Sequence, residues 1–268
     1  MAALERLRWL TRRHGAFVAL CSGVLGVFQF LIAAAVSAVD LSGAFEALVQ
    51  GLPPMMRMML ETTLAGSLSG RGLIAFGWNH PISQAAGAAV AIVLASRAVA
   101  GEAEEGTIEI ELAQPLGRLA FLGATVAFSL LALAAAAAAG LCGTLAGERL
   151  FDLERSSAGT LLALGWNYLA LQWAWFGVTL ALSAGGREAG RVASGAFLLA
   201  LASYVAVVIG RLWESARFVQ PWSLYDYFAA HSILAGDGLE PRTSLVLVGV
   251  LAAALGVAAW RFERRDLP

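Results

Sequence analysis

Five glutamates, Glu102, Glu104, Glu105, Glu109 and Glu111, fall within the segment 101–118, GEAEEGTIEIELAQPLGR, which closes on Pro115 and Arg118. Carboxylates at this density serve charge pairing, either with water or with a complementary protein surface. Gly101 and Gly106 punctuate the segment, Thr107 is a candidate N-cap, and Ile108, Ile110, Leu112 and Leu116 supply apolar contacts beside the charges. Pro115 ends the helix, because it lacks an N–H and disfavours helical geometry at Gln114. The expected product is a short, stiff, acid-faced helix that another protein can grip; the alternative is a solvated acidic loop.

A second set of polar groups, Gln29, His80, Gln84, Asn167 and Gln172, lies inside long apolar runs. Such residues face protein or a cavity, so they are candidates for a substrate path, with interhelical hydrogen bonding as the alternative. Pro81 after His80 frees a backbone carbonyl and favours a kink. No Asp, Glu or Arg falls at the middle of an apolar run, which argues against an ion-coupled carrier.

Other chemistries are poorly supplied. All 18 basic residues are Arg, so there is no lysine for a phosphate-binding loop or a Schiff base. If the protein uses ATP, a partner binds it. His14, His80 and His231 are scattered, with no HExxH and no Cys/His pairs at ligand spacing, so no metal site is expected. The cluster Met55, Met56, Met58 and Met59 reads as packing. Tyr225-Asp226 with Gly236-Asp237, and Ser194-Gly195, are incomplete versions of intramembrane protease motifs, since the first pair sits in a loop and the serine has no histidine on a nearby apolar run. No catalytic residues are assigned. A net charge of −1 gives no general attraction to nucleic acid.

The elements that must position these groups are membrane helices. A mean hydropathy of +0.73, with 59% hydrophobic and 14% charged residues, places the chain among integral membrane proteins. Runs of about 20 apolar residues predict six spans near 16–39, 74–98, 119–146, 160–182, 192–212 and 243–260. Cys21 and Cys142 then lie about a membrane thickness apart, too far for a disulfide. Arg6, Arg8, Arg12 and Arg13 before the first span, and Arg261, Arg264 and Arg265 after the last, place both termini and the acidic loop in the cytoplasm. Residues 1–15 fit an interfacial helix, and the apolar loops 40–73 and 213–241 fit short helices on the outer surface. Gly140, Gly143 and Gly147 permit close helix approach, within or between subunits. The expected fold is an all-α integral membrane protein forming a single domain over 1–268, with a coupling loop at 99–118.

The acidic segment resembles the loop between the second and third spans of ABC-2 type transporter permeases: an acidic residue, Gly-Thr, an acidic residue, a Leu-rich stretch, Pro and then Arg. Here these are Glu102, Gly106, Thr107, Glu109, Leu112, Pro115 and Arg118, supported by His80-Pro81 and the tail RFERRDL. Glu111 departs from the pattern, where an apolar residue is commoner. The resemblance implies a bacterial inner-membrane exporter subunit that works with two cytoplasmic ATP-binding subunits and a second copy or a paralogue, surrounded by lipid. ATP and Mg would be bound by the partner, with no cofactor in this chain. Glu102, Glu104, Glu105, Gly106, Thr107, Glu109, Pro115 and Arg118 would form the ATPase-coupling site. The rival readings are a secondary carrier without an ATPase and a non-transporting assembly subunit of a membrane complex.

Overall fold

The computed structural model describes residues 2–38, 69–107 and 117–265, and side chains from Glu5 onward. Every regular element among them is helical. Helix α1 spans Ala2–Ala38, α2 Gly70–Asn79, α3 Pro81–Ser96, α4 Arg118–Leu150, α5 Ala158–Gly185, α6 Ala189–Leu212, α7 Ala230–Ala235 and α8 Pro241–Glu263. Among the described residues, five stretches are long and apolar enough to cross a membrane: Glu5–Ala38, Gly70–Glu104, Arg118–Leu150, Ala189–Leu212 and Pro241–Glu263.

Helix α5, the fourth expected span, is not one of the five. With 28 residues it has the length, but Trp166, Asn167, Tyr168 and Gln172 lower its hydropathy. These residues are tolerated because α5 occupies the middle of the bundle, packed against α3, α4, α6 and α8. Leu164, Tyr168, Leu171, Phe176 and Leu180 on it are fully buried. A helix shielded from lipid by protein can carry hydrogen-bonding groups that a lipid-facing one cannot.

Two expectations about element boundaries change. Residues 1–15 do not form a helix of their own: residues 2–38 run as one helix of 37 residues, because Gly15 alone costs only about 1 kcal/mol and no proline interrupts. The second span is broken at His80, whose extended backbone (φ −62°, ψ 141°) ends α2 and caps α3. Proline demands that geometry of the residue before it. The expected outer helices at 40–73 lie, up to residue 68, outside the described residues, while 213–241 contains 3-10 segments at Glu214–Trp222 and Leu224–Tyr227 followed by α7.

The tightest seam joins α1 to α4. Gly143 sits so close to α1 that a Cβ there would lie 2.0 Å from the Gly26 carbonyl oxygen, backbone against backbone. The glycine spacing read from the sequence thus serves a contact inside one chain. At the far end of α4, the fully buried Glu148 accepts from Ser156 Oγ at 2.6 Å and from the Ser156 N–H at 3.1 Å, closing the turn into α5.

Candidate coupling site and polar core

The acidic segment begins where α3 widens into a π-helical turn, Arg97–Gly101, followed by a short helical turn, Glu102–Glu104. A π-turn displaces backbone groups from their α-helical partners. Here Ser183 on α5 supplies replacements, donating to the Ser96 carbonyl at 3.0 Å and accepting from the Ala100 N–H at 3.0 Å. The wide turn is therefore pinned to the central helix, which aims the glutamates that follow.

Those glutamates turn inward to different degrees. Glu102 is buried, with its carboxylate 3.4 Å from the Arg13 guanidinium and 3.7 Å from that of Arg6. The Thr107 hydroxyl, directed at the same carboxylate, also approaches the Glu102 carbonyl at 3.2 Å. Arg6 itself is buried, its guanidinium stacked 3.8 Å from the Phe121 ring centroid on α4. Glu105, more exposed, also pairs with Arg13 and lies 3.9 Å from Arg97. Glu104 reaches the start of α6, accepting from the Ala189 N–H at 2.8 Å. A carboxylate at a helix N-terminus satisfies an orphan N–H and complements the dipole. Gly106 then turns the chain with φ +69°.

Arg118 serves the last helix. Its Nη1 donates to the carbonyls of Phe262, Glu263 and Arg265 at 3.2, 2.9 and 2.9 Å, closing the C-terminus of α8. Arg265 continues the chain of caps by donating to the carbonyls of Ala184 and Gly186 at the end of α5. Burial, with Arg187 close by, lowers the Arg265 pKa from its ordinary value. Glu109 and Pro115, the remaining expected coupling residues, lie outside the described residues. The structure thus gathers Glu102, Glu104, Glu105, Gly106 and Thr107 into one turn and gives Arg118 a separate task at α8.

Sequence reasoning missed Arg6, Arg13 and Ser183 as parts of this site. A signal for the first existed: Arg6, Leu10 and His14 recur every four residues and form the buried stripe of the first turns of α1. For Ser183 there was none.

The intramembrane polar residues meet around the α2–α3 break. The break leaves carbonyls without helical donors, and side chains replace them: Ser83 Oγ donates to the Gly77 carbonyl at 2.7 Å and Gln84 Nε2 to the Trp78 carbonyl at 2.8 Å. Gln29 on α1 donates to Ser83 Oγ at 2.9 Å, Tyr168 to the Ser83 carbonyl at 2.7 Å, and Gln172 to Gln84 Oε1 at 3.2 Å. His80 Nδ1 accepts from the Ile82 N–H at 3.2 Å, capping α3. Asn167 pins the chain between the 3-10 segment and α7, donating to the Tyr227 carbonyl at 3.0 Å and accepting from the Ala229 N–H at 2.8 Å. Of the five expected substrate-path residues, His80 and Gln84 line a cavity of about 210 Å³. Gln29, Asn167 and Gln172 make hydrogen bonds to other elements of the bundle. The Oε1 atoms of Gln29 and Gln172 are buried without a hydrogen bond among the described residues.

Neither curated proteins nor solved structures give a match to this chain. A family model described as ABC-2 family transporter protein does, over residues 14–267. That span includes the broken second helix, the acidic turn and all but the first turns of the bundle. The chain therefore belongs to the ABC-2 transporter family, as a multi-pass membrane subunit of an ABC transporter, a transport subunit and not itself a catalyst.

Proposed function

We propose that this chain is the permease of an ABC exporter with six spans, α1, the α2–α3 pair, α4, α5, α6 and α8, and with both termini in the cytoplasm of a bacterial inner membrane. Two copies, or this chain and a paralogue, enclose the path, and two ATP-binding subunits, which carry ATP and Mg, dock on segment 99–118. Arginines at both chain ends support the orientation. The observation that carries the reading is the anchoring of the acidic turn. It is tied at once to α1 through Arg13, to α5 through Ser183 and to α6 through the Ala189 N–H.

Such a turn does two things. Its buried carboxylate, Glu102, ties the loop to the bundle, so that a push on the loop moves helices instead of bending a free linker. Its exposed carboxylates, Glu104 and Glu105, offer charge to an ATPase surface, and Glu109 follows them in the sequence. The division explains why one short segment needs so many acids.

The test is a pull-down of the tagged full-length chain from its native membrane in mild detergent. A phosphate-binding-loop ATPase is expected in stoichiometric amount, and lost in the Glu109→Arg variant while the permease still elutes as a folded species. No ATPase under conditions that preserve other membrane complexes would overturn the reading in favour of a carrier or an assembly subunit. ATPase retained but hydrolysis uncoupled from transport in Glu109→Arg would support it.

A further inference from the structure

At its C-terminal end α6 forms the common wall of two cavities that meet at Arg211. One is a chamber of about 210 Å³ walled by Phe76, Tyr204, Val207, Tyr225 and Phe228, with Asn79, His80 and Gln84 as its polar members beside Arg211. The other is a basin of about 430 Å³ lined by Arg211, Glu214, Arg217 and Gln220 around the end of α6. The basin depends on the 3-10 segment lying against α6, and Gly210 permits that: a Cβ there would stand 2.4 Å from Gln220 Cγ.

The two spaces differ in chemistry. Among the described residues, Arg211 is the only charged one on the chamber wall, and the basin adds one further cation and one carboxylate. Taken together, two arginines against Glu214 leave one net positive charge. Neither Arg211 nor Arg217 has an ion-pair partner among the described residues. In the chamber, His80 Nδ1 accepts from the Ile82 N–H at 3.2 Å. Burial, and Tyr204 beside it, raise the Tyr225 pKa, so the phenol stays uncharged.

An aromatic chamber beside an arginine basin matches a molecule with one anionic head and an apolar body. We infer that the pair of cavities binds an anionic amphipath, its phosphate or carboxylate held by Arg211 and Arg217 and its apolar part in the chamber between α2, α6 and the 3-10 segments. Binding itself needs no ATPase; the further statement that this ligand is cargo rests on the permease reading above. Arginine supplies charge-assisted, bidentate recognition of such heads, and the apolar wall excludes fully hydrated ions. A phospholipid and a free amphipath share this chemistry.

The experiment uses the full-length chain in phosphatidylcholine nanodiscs and radiolabelled dodecyl phosphate as the probe. Saturable binding is expected, displaced by unlabelled dodecyl phosphate and not by dodecyltrimethylammonium or inorganic phosphate. Arg211→Gln should weaken it by roughly 10-fold or more, the loss of a charged hydrogen bond, with Arg211→Lys intermediate. Val208→Trp, on a half-exposed chamber wall, should weaken binding with both arginines intact. Competition by added phosphatidylglycerol supports the site with lipid as an occupant, and its failure to compete supports a free amphipath. Equal displacement by the cationic amphipath, or unchanged binding in Arg211→Gln and Val208→Trp, overturns the proposal. A chain that recruits an ATPase but does not bind dodecyl phosphate removes this site alone, whereas one that binds it without recruiting an ATPase removes the permease reading alone.

Discussion

Glu102 and Glu105 share one partner, Arg13, and differ in burial, so together they measure how far the acidic turn is a structural clamp. The Glu102 side chain is 4% exposed and that of Glu105 41%. At an effective dielectric near 20, unit charges at the Glu102 distances of 3.4 and 3.7 Å attract by roughly 5 kcal/mol each. Desolvation of the carboxylate and of Arg6 offsets most of that gain, so the pair adds little net stability relative to an apolar packing. Removing only the carboxylate charge is different, because the cost of the buried guanidinium remains. We expect Glu102→Gln, which removes a carboxylate charge from the buried side of the cluster, to destabilise the chain clearly more than Glu105→Gln, whose exposed pair is worth about 0.2–1 kcal/mol. The assay is thermal unfolding of the detergent-purified chain followed by size-exclusion fluorescence, with hydrogen exchange across 97–107. The predicted order is wild type and Glu105→Gln melting close together, Glu102→Gln well below, and faster exchange confined first to the acidic turn. If Glu102→Gln melts with Glu105→Gln, burial does not govern this cluster and the clamp argument fails.

Three further outcomes follow from the packing. Gly143→Ala should force α1 and α4 apart by about 1.4 Å and cost at least the ~1–3 kcal/mol of overpacking, against a gain of up to about 1 kcal/mol in helix propensity for Gly249→Ala, where a Cβ meets nothing within 4 Å; equal melting temperatures for the two would refute the seam. Ser183→Ala leaves buried backbone groups of the π-turn unpaired, at about 1–3 kcal/mol per group, and hydrogen exchange at Ala100 should rise several-fold; unchanged protection would show that the hydroxyl is dispensable. Arg118→Ala uncaps α8 at Phe262, Glu263 and Arg265, so limited proteolysis should trim the C-terminal tail faster than in the wild type while the rest of the bundle persists, and a digestion pattern identical to wild type would show that the cap contributes nothing.

The apolar runs, the break at His80-Pro81 and the close approach at Gly143 were all legible in the chain, because each rests on local chemistry. About 20 apolar residues can satisfy their backbone in lipid only as a helix, proline removes a donor wherever it stands, and glycine carries no Cβ in any context. The family likeness was legible for the same reason, in the residue pattern around Gly106 and Pro115. What the residues do not state is their partners. Glu102 lies 89 positions from Arg13, and its charge alone suited a solvated loop or a docking surface, with nothing to mark it as buried. The polar residues of α5 lowered its hydropathy without revealing that α3, α4, α6, α7 and α8 pack against it. Gln84 and Gln172 were candidates for a substrate path, and only the packing shows that Gln172 donates to Gln84 while Gln84 donates to a carbonyl at the break. The strength of a charge pair or a hydrogen bond depends on separation and on exclusion of water, and both are set by how distant helices pack. Sequence therefore determined which apolar segments are helices and marked the interruption at His80-Pro81, and tertiary structure decided which polar groups clamp the bundle and which face a cavity.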